Sequence, residues 1–389
     1  MGEQLDLFEI KEDEFNFELM KQKLIDNLDM LKNMTVEEQT LYKKWQEMNK
    51  GGKMSKVKKK LLTYKNNLWA PTDIFNVEQT IKEIEELEPY VEMASPGKGV
   101  TEWVNYRKLI HTMEWVANPG RNMKFWVRDK KTNKVLGLIC LGSDVTSIKV
   151  RDAYIGWDKV NKFEQHKLNN TAIATTICST QPGGYNMLMG KLVAALTTCK
   201  TIRDAWEEKY GDKLIAVGTT SLYGINSMYN GMPHFKTMGE TAGQVRLKPD
   251  DKVYLPWNTW LKENHPEEHK KAINATGPKQ NIINKVFKHC SIRPSTYDHG
   301  FKRGVYLAMM YENGCEFLRN EIDKNELKLK KKFEDDIPYT EKWWKKKAVK
   351  RYTNMKKQGR IKPDSLFYWD VIDMDWESTK NNYLKDVGR

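Results

Sequence analysis

Apolar residues near the start of the chain recur at helical spacing: Phe15, Leu19, Leu24, Leu28 and Leu31, then Leu41 and Trp45. That period predicts one or two amphipathic helices over 13–49. Val77 to Leu87 repeats the pattern, with Pro71-Thr72 as the loop before it and Pro89 as its stop. The turn formers of 94–99 (Ala-Ser-Pro-Gly-Lys-Gly) predict a domain boundary. From Phe125 the period shortens to that of strands. Phe125 to Arg128, a turn over Asp129 to Asn133, and Val135 to Leu141 read as a β-hairpin with a buried second strand. Thr171 to Cys178 is a further strand, followed by a loop at Ser179 to Gly184. Helical segments follow at Asn186 to Cys199 and at Lys200 to Tyr210, the second closed by Gly211. Leu214 to Gly218 is a short apolar strand. Later, Tyr254 to Trp257 with Trp260 suggests an anchored crossing segment, Gly304 to Tyr311 a strand and Cys315 to Ile322 a helix, all taken as extending one sheet. A long basic helix then ends near Gly359, before an acidic, aromatic stretch from Phe367 to Trp376. The expected organisation is a helical region over 1–99, a core over 100–255, a sheet-extending segment over 256–323, and a basic helix with its tail over 324–389.

Composition supports a folded chain. Among 389 residues, 39% are hydrophobic and there are 13 Trp, 17 Tyr and 12 Phe, too many for a wholly disordered protein. No run of about 18 apolar residues occurs, and the opening MGEQLDLFEI lacks the basic and apolar regions of a secretory signal. The five cysteines (Cys140, Cys178, Cys199, Cys290, Cys315) stand singly, without the pairing of a zinc knuckle or disulfide framework. A cytoplasmic protein without membrane partners is the expectation.

Charge sharpens this picture. Residues 1–49 hold 12 acidic against 6 basic side chains, whereas 324–362 hold 15 basic against 5 acidic, so most of the net charge of +13 lies in one tract. Such a field attracts polyanions. The tract contains Trp343, Trp344, Lys345, Lys346, Lys347, Lys350 and Arg351, rings able to stack on bases beside cations for phosphates, and these are the expected nucleic-acid contacts. The plainer alternative is a solvated lysine-rich helix.

The order of a buried hairpin, a strand, a glycine-containing turn opening onto a helix, another strand and a Tyr-bearing segment resembles the GCN5-related N-acetyltransferase (GNAT) fold. The fold class expected is therefore α+β: a mixed sheet flanked by helices, with helical N-terminal and basic C-terminal extensions. In that fold, backbone N–H groups of the turn cradle the pyrophosphate of an acyl-coenzyme A. The resemblance places Gln181, Gly183, Gly184 and Asn186 at that cofactor site, with Asn186 where a small residue is usual. It makes acyl-coenzyme A, acetyl-coenzyme A first, the expected donor. Tyr229 corresponds to the tyrosine that acts as general acid toward the leaving thiolate, or else it is a core tyrosine.

A second resemblance is more specific. Arg151-Asp152, Ile155-Gly156-Trp157, Asn169-Asn170, Trp206 with Tyr210-Gly211, Thr219-Thr220-Ser221 and Gly239 to Gly243 occur in the order of the DruA family, known from an anti-phage defence system. Ala205 departs from the aspartate usual before the tryptophan. Phage proteins of this kind also resemble the Mom-type adenine-modifying enzymes. The combination implies an enzyme that moves a small acyl-derived group to the exocyclic amine of adenine in DNA, evading restriction; the alternative is a non-catalytic nucleic-acid-binding protein. Asp152, Asn170, Ser221, Tyr223 and Tyr229 are then the candidate catalytic residues, and Trp157 a platform for an extruded base or a core tryptophan. Asp152 beside Arg151 is equally readable as half of an ion pair. Mom-type enzymes bring iron into question. His111 and His166 are its only suggested ligands, and His265 with His269 reads as a solvated helix face.

Overall fold

The computed structural model describes residues 15–49, 52–116, 120–222, 224–225, 227–241, 245–275, 277–299, 302–334, 336–363 and 371–386. In chain order the helices and strands are α1 (Phe17–Lys32), α2 (Val36–Met48), α3 (Met54–Leu62), α4 (Val77–Glu86), β1 (Pro89–Met93), α5 (Lys98–Ile110), β2 (Asn122–Asp129), β3 (Val135–Ser143) and α6 (Lys149–Ile155). There follow β4 (Thr171–Ser179), α7 (Gly183–Met187), α8 (Met189–Leu196), α9 (Lys200–Tyr210), β5 (Ala216–Ser221), β6 (Lys236–Glu240) and β7 (Val245–Arg246). The last are α10 (Asp251–Asn264), α11 (Pro266–Ile273), α12 (Pro278–His289), β8 (Asp298–His299), β9 (Gly304–Met309), α13 (Gly314–Leu318), α14 (Asp336–Lys357) and α15 (Trp376–Asp386).

Seven strands form one mixed sheet in the order β1-β2-β3-β4-β5-β9-β6. Every neighbouring pair is antiparallel except β4 and β5, which are parallel. The β2–β3 turn forms because Asp129 Oδ2 accepts hydrogen bonds from the Thr132 N–H and hydroxyl, at 3.0 and 2.7 Å. Along β3, residues face opposite layers in alternation from Leu138 onward, the register shifting near Gly137. Leu136, Ile139 and Leu141 join Phe125, Leu192, Val193, Trp206 and Trp344 in one core, while Leu138 and Cys140 join Trp103, Tyr106 and Leu109 of α5 in another. A strand buried on both faces is a near-continuous apolar run, which is how Val135 to Leu141 reads.

The chain clusters into two compact units. Thr40–Ala242 with Lys302–Arg389 carries the seven-stranded sheet, and Met1–Gln39 with Gly243–Phe301 forms the other. In the latter, α1 packs on α10 through Phe15 and Phe17, whose rings lie 5.0 and 5.2 Å from that of Trp257. Asn27 and Asp250 also exchange two hydrogen bonds, at 2.7 and 3.0 Å. The expected boundaries shift accordingly. The turn-rich 94–99 stretch does not end a helical region, because β1 just before it is the edge strand of the sheet. Among the described residues of 256–323, β9 alone joins that sheet; α10, α11 and α12 occupy most of 251–289, and the tryptophans of α10 serve helix packing rather than a strand.

The basic tract forms α14, ended past Gly359 at φ +64°. It is not a free cationic rod. Thr340, Trp344, Ala348, Tyr352 and Met355 make a buried stripe at spacings of three and four. The Trp344 indole N–H donates to the Met187 and Leu188 carbonyls at 3.0 and 3.1 Å, filling the break where Leu188 (φ +54°) separates α7 from α8. Trp344 is therefore a core residue and not a stacking surface for bases. Lys342, Lys346, Lys350 and Lys357 occupy the outward face. In the described part of the tail, the Trp376 ring packs 4.9 Å from that of Tyr42; residues 364–370 lie outside the described residues.

Near the start of α14, His234 is buried with its Nε2 3.0 Å from the Thr340 hydroxyl, and the rings of Phe333, Tyr339 and Trp343 surround it at 5.9 to 6.0 Å. Burial, helped by Lys332, lowers its pKa to about 4. The folded value lies below the ordinary 6.5, so the stability tied to the neutral ring is fully present above pH 6.5 and lost as pH falls toward 4.

Two outcomes follow. Trp344→Ala lowers unfolding free energy by about 3–5 kcal/mol in urea titrations, against about 0.5 kcal/mol or less for Lys346→Ala; equal effects would contradict the buried stripe. Between pH 7 and 4 the protein loses about 3 kcal/mol more than His234→Gln does, and parallel pH curves for the two would sink this account of His234.

Candidate functional site

The parallel pair β4 and β5 is joined over only three residues: Thr171, Ala172 and Ile173 lie opposite Ala216, Val217 and Gly218. Beyond them β4 continues to Ser179, with a bulge where Thr175 is the extra residue between the partners of Cys140 and Leu141. Bridging the point where the ladder stops, the Thr219 hydroxyl donates to the Ala174 carbonyl at 3.2 Å. The sheet thus opens in its middle toward the carboxyl ends of two parallel strands.

Tyr229 occupies this opening. It lies in a turn rather than on a helix, buried, with its ring 5.0 Å from that of Tyr306 on β9 and 5.7 Å from that of Phe235. Its hydroxyl shares a hydrogen bond with Thr219. Burial raises the phenol to about 12, the Thr219 bond opposing this and Tyr306 and Cys178 adding to it. The group therefore holds its proton throughout the neutral range. Cys178, on the β4 side, is a free thiol that burial also raises to about 12, with Arg107 and Lys44 pulling the other way.

At the end of β4, the turn is tied internally. The Gly184 N–H donates to Thr180 O at 2.9 Å, the Tyr185 N–H to Gln181 Oε1 at 2.8 Å, and the Asn186 N–H to Pro182 O at 3.1 Å. A Cβ on Gly184 would come within 2.6 Å of Ser179 Oγ and 2.8 Å of Gln181 Nε2, and one on Gly183 within 2.8 Å of the Met189 methyl. A side chain at either position would have to displace the end of a neighbouring side chain, Met189 at 183 and Ser179 or Gln181 at 184. Asn186 is fully buried, and its amide bonds the Pro182 carbonyl and both the carbonyl and N–H of Lys362. The expected open cradle is accordingly corrected: three of its N–H groups are engaged within the turn, and Asn186 fastens the chain after α14 to α7.

The flank of this turn is cationic, a feature the sequence reading did not find. Trp343, Lys347 and Arg351 follow one another at four-residue spacing on α14. The Arg351 guanidinium lies 5.6 Å from the Tyr185 ring, Lys362 Nζ lies 5.1 Å from that ring, and Lys347 Nζ lies 6.0 Å from the Trp343 ring. Lys191 of α8 donates to the Met228 and Asn230 carbonyls at 2.7 and 2.6 Å; burial lowers its pKa, and nearby Lys347 lowers it further. Lys345, in contrast, turns to Glu341 at 2.6 Å.

Other expected site residues do not gather here. Asp152 accepts from Arg151 Nε and Nη2 at 2.8 and 2.6 Å and pairs with Lys162. Arg151 also meets Asp144 at 2.6 Å, both side chains 1% exposed, and Asp144 accepts from the Thr171 hydroxyl at 2.7 Å. Trp157 packs between Arg151 and Lys162 at 5.2 and 5.5 Å and donates its indole N–H to Leu318 O at 2.7 Å. Gly156, at φ +76°, caps α6 in the left-handed region. The Arg-Asp to Gly-Trp motif is thus a charged brace at the start of β4. Asn170 belongs to it, giving its side-chain N–H to Lys213 O at 2.9 Å and its own carbonyl to the Ile215 N–H at 2.7 Å, which sets the β4–β5 register. The turn at 180–184 is at the other end of β4, roughly 26 Å away by strand rise. Ser221 is buried opposite Gly304 at the end of β5, and Tyr223 lies outside the described residues.

Among the described residues no three His, Cys, Asp or Glu side chains are grouped to hold a metal. His111 accepts the Met113 N–H on Nδ1 at 2.9 Å, and burial holds its pKa well below the ordinary value. His265 stacks on His289 at 4.0 Å while His269 turns to Asn258 at 3.1 Å, so neither is simply solvated. No helix among the described residues is long and apolar enough to cross a membrane.

No solved structure matches the chain. The Druantia protein DruA of Escherichia coli (strain UMEA 4076-1) is 25% identical over 255 residues, which are 60% of this chain and 62% of that protein. The match thus spans less than two thirds of that relative's length. The family model described as Druantia protein DruA matches residues 36–320, which include β1 to β9 and both ends of the parallel opening. The chain belongs to the DruA family.

Proposed function

We propose that the protein is a DNA-modifying transferase of acetyltransferase-like fold, which moves a small acyl-derived group from an acyl-coenzyme A to the exocyclic amine of adenine and so shields DNA from restriction. The observation that carries this reading is the buried, protonated Tyr229 in the opening between β4 and β5. In open α/β sheets, ligands bind outside the carboxyl ends of parallel strands where connections diverge. Here the crossover from β4 through α7, α8 and α9 to β5 creates such a point, and β9 inserted between β5 and β6 closes its far side.

Gln181, Gly183 and Gly184 would hold the donor at the end of β4, where the absence of a Cβ at 184 lets Ser179 and Gln181 close over the backbone. When bound, the coenzyme supplies an acyl group activated as a thioester. Tyr229 gives its proton to the sulfur as the carbon–sulfur bond breaks. As the adenine nitrogen forms the new carbon–nitrogen bond, the phenolate takes the proton that this nitrogen sheds, and Tyr229 is restored. Thr219, bonded to both Tyr229 and the Ala174 carbonyl, holds the hydroxyl in place. The outward lysines Lys342, Lys346 and Lys350 offer a cationic face to the DNA backbone.

The second reading, a non-catalytic nucleic-acid-binding protein, draws on the internally bonded turn, whose engaged N–H groups leave less for a pyrophosphate. Mass spectrometry of nucleosides from plasmid DNA of expressing cells separates the two. The transferase gives an adenine adduct whose yield falls about 10²–10⁴-fold in Tyr229→Phe and drops clearly in Gly184→Leu, which displaces Gln181. Unmodified DNA from cells with abundant folded protein favours the binding protein.

A further inference from the structure

Residues 48–72 hold seven lysines and no aspartate or glutamate. Five of the seven, Lys53, Lys56, Lys59, Lys60 and Lys65, are exposed in the structure. The stretch is not a loose linker. Met54 and Leu61 of α3 are buried in the core that holds Trp103, Tyr106 and Leu109 of α5, and Val57 packs against it. Past the helix, the Tyr64 ring lies 4.8 Å from that of Tyr106, the Asn67 side-chain N–H donates to the Tyr106 hydroxyl at 2.8 Å, and the Trp69 N–H donates to Val135 O at 2.9 Å. With the apolar stripe turned inward, Lys56, Lys59, Lys60 and Thr63 share the outward face at spacings of three and four.

Lysines on other helices meet a carboxylate four residues away: Lys82 with Glu86 on α4, Lys200 with Asp204 on α9 and Lys345 with Glu341 on α14. Among the described residues, no carboxylate lies within ion-pair distance of Lys53, Lys56, Lys59, Lys60 or Lys65. Like charges four apart on a helix repel. Lys59 and Lys60 suit the negative end of the helix dipole, but Lys53 and Lys56 stand at its positive end, and Lys53 at the N-cap makes no capping hydrogen bond. The helix is thus held by Met54 and Leu61 against part of its own charge. A polyanion laid along the outward face turns that repulsion into attraction and releases its own counterions.

We propose that α3 is a DNA-binding element, in which Lys53, Lys56, Lys59 and Lys60 bind the phosphate backbone of a duplex, separately from the outward lysines of α14. An anionic lipid surface offers charge as well, but a helix that enters a lipid interface needs its apolar face free. That face of α3 is committed to α5. A phosphate backbone needs only cations along a line, and Lys56 and Lys60 stand about one turn, roughly 6 Å, apart. α3 and α14 pack into the two different cores that flank the sheet, so each makes its own contact with nucleic acid. The assignment rests on DNA as the partner, which the transferase reading requires, and not on acyl transfer itself.

The test is fluorescence anisotropy of a short labelled duplex titrated with the full chain over a range of salt concentrations. The variants are Lys56→Gln, Lys59→Gln and Lys60→Gln combined, the same three positions changed to Arg, and Lys82→Gln as a control, with thermal unfolding to confirm that each folds. The combined Gln variant is expected to bind about tenfold more weakly, with the slope of log affinity against log salt reduced by about 2 to 3; the Arg variant keeps wild-type binding, as does Lys82→Gln. Wild-type affinity and slope in the folded Gln variant overturn the proposal, as does the absence of duplex binding by wild type. Loss of binding to vesicles of anionic lipid with duplex binding intact assigns α3 to a membrane surface and overturns it too. An adenine adduct that persists while the Gln variant binds DNA as wild type does sinks the α3 contact and leaves the transferase reading standing, whereas α3-dependent duplex binding without any adduct upholds the contact and removes the transferase.

Discussion

One indole nitrogen joins the basic helix to the rest of the sheet-bearing unit. Trp344 is fully enclosed, and its N–H meets two carbonyls at the break between α7 and α8, where Leu188 adopts a left-handed backbone. A helix that is otherwise rich in lysine gains little from its own sequence and depends on such docking for its place. Once Trp344 is seated, Ala348 and Tyr352 follow into the same core, the Tyr352 hydroxyl reaching Ile74 O at 2.8 Å, and Arg351 is fixed beside Tyr185. The position of the cationic flank is therefore a consequence of hydrophobic burial and not of charge.

A second constraint governs the opening itself. At the start of β4, the ion-pair chain of Asp144, Arg151, Asp152 and Lys162 with the ties of Asn170 holds β4 to β5 for three residues. Beyond them Thr219 makes a single bridge and the strands separate. Buried charges of this kind are costly unless each has its partners, so the brace resists partial substitution. The family motif and the proposed chemistry thus occupy opposite ends of one strand, the first aligning what the second requires.

Much of the fold is legible in the sequence because its strongest signals are local. The β2–β3 hairpin, β4, and α9 with its stop at Gly211 follow from period and turn chemistry alone. What escapes is set by distant residues. Asp152 looks catalytic until Lys162 joins Arg151 in pairing with it, while Asp144 from another segment holds Arg151. Trp344 looks like a stacking surface because neighbouring lysines mask a regular Thr340, Trp344, Ala348, Tyr352 stripe that the sequence does contain. The stretch from Tyr254 to Trp260 resembles a sheet-crossing segment because Trp257 and Trp260 are aromatic, and their partners Phe15 and Phe17 lie far away in the chain. Asn186 appears as a weak match to a phosphate turn, whereas its role is fixed by Lys362. Tyr229 is singled out by the order of elements around it, and it lies buried in a turn rather than on the expected helix.

The central claim is that the opening between β4 and β5 and the turn after β4 make one donor site. A crystal structure of the full chain with coenzyme A tests it most directly. The result expected is the sulfur beside the Tyr229 hydroxyl and the phosphates at the turn that follows β4. Coenzyme bound elsewhere, or failing to bind at all, would contradict it.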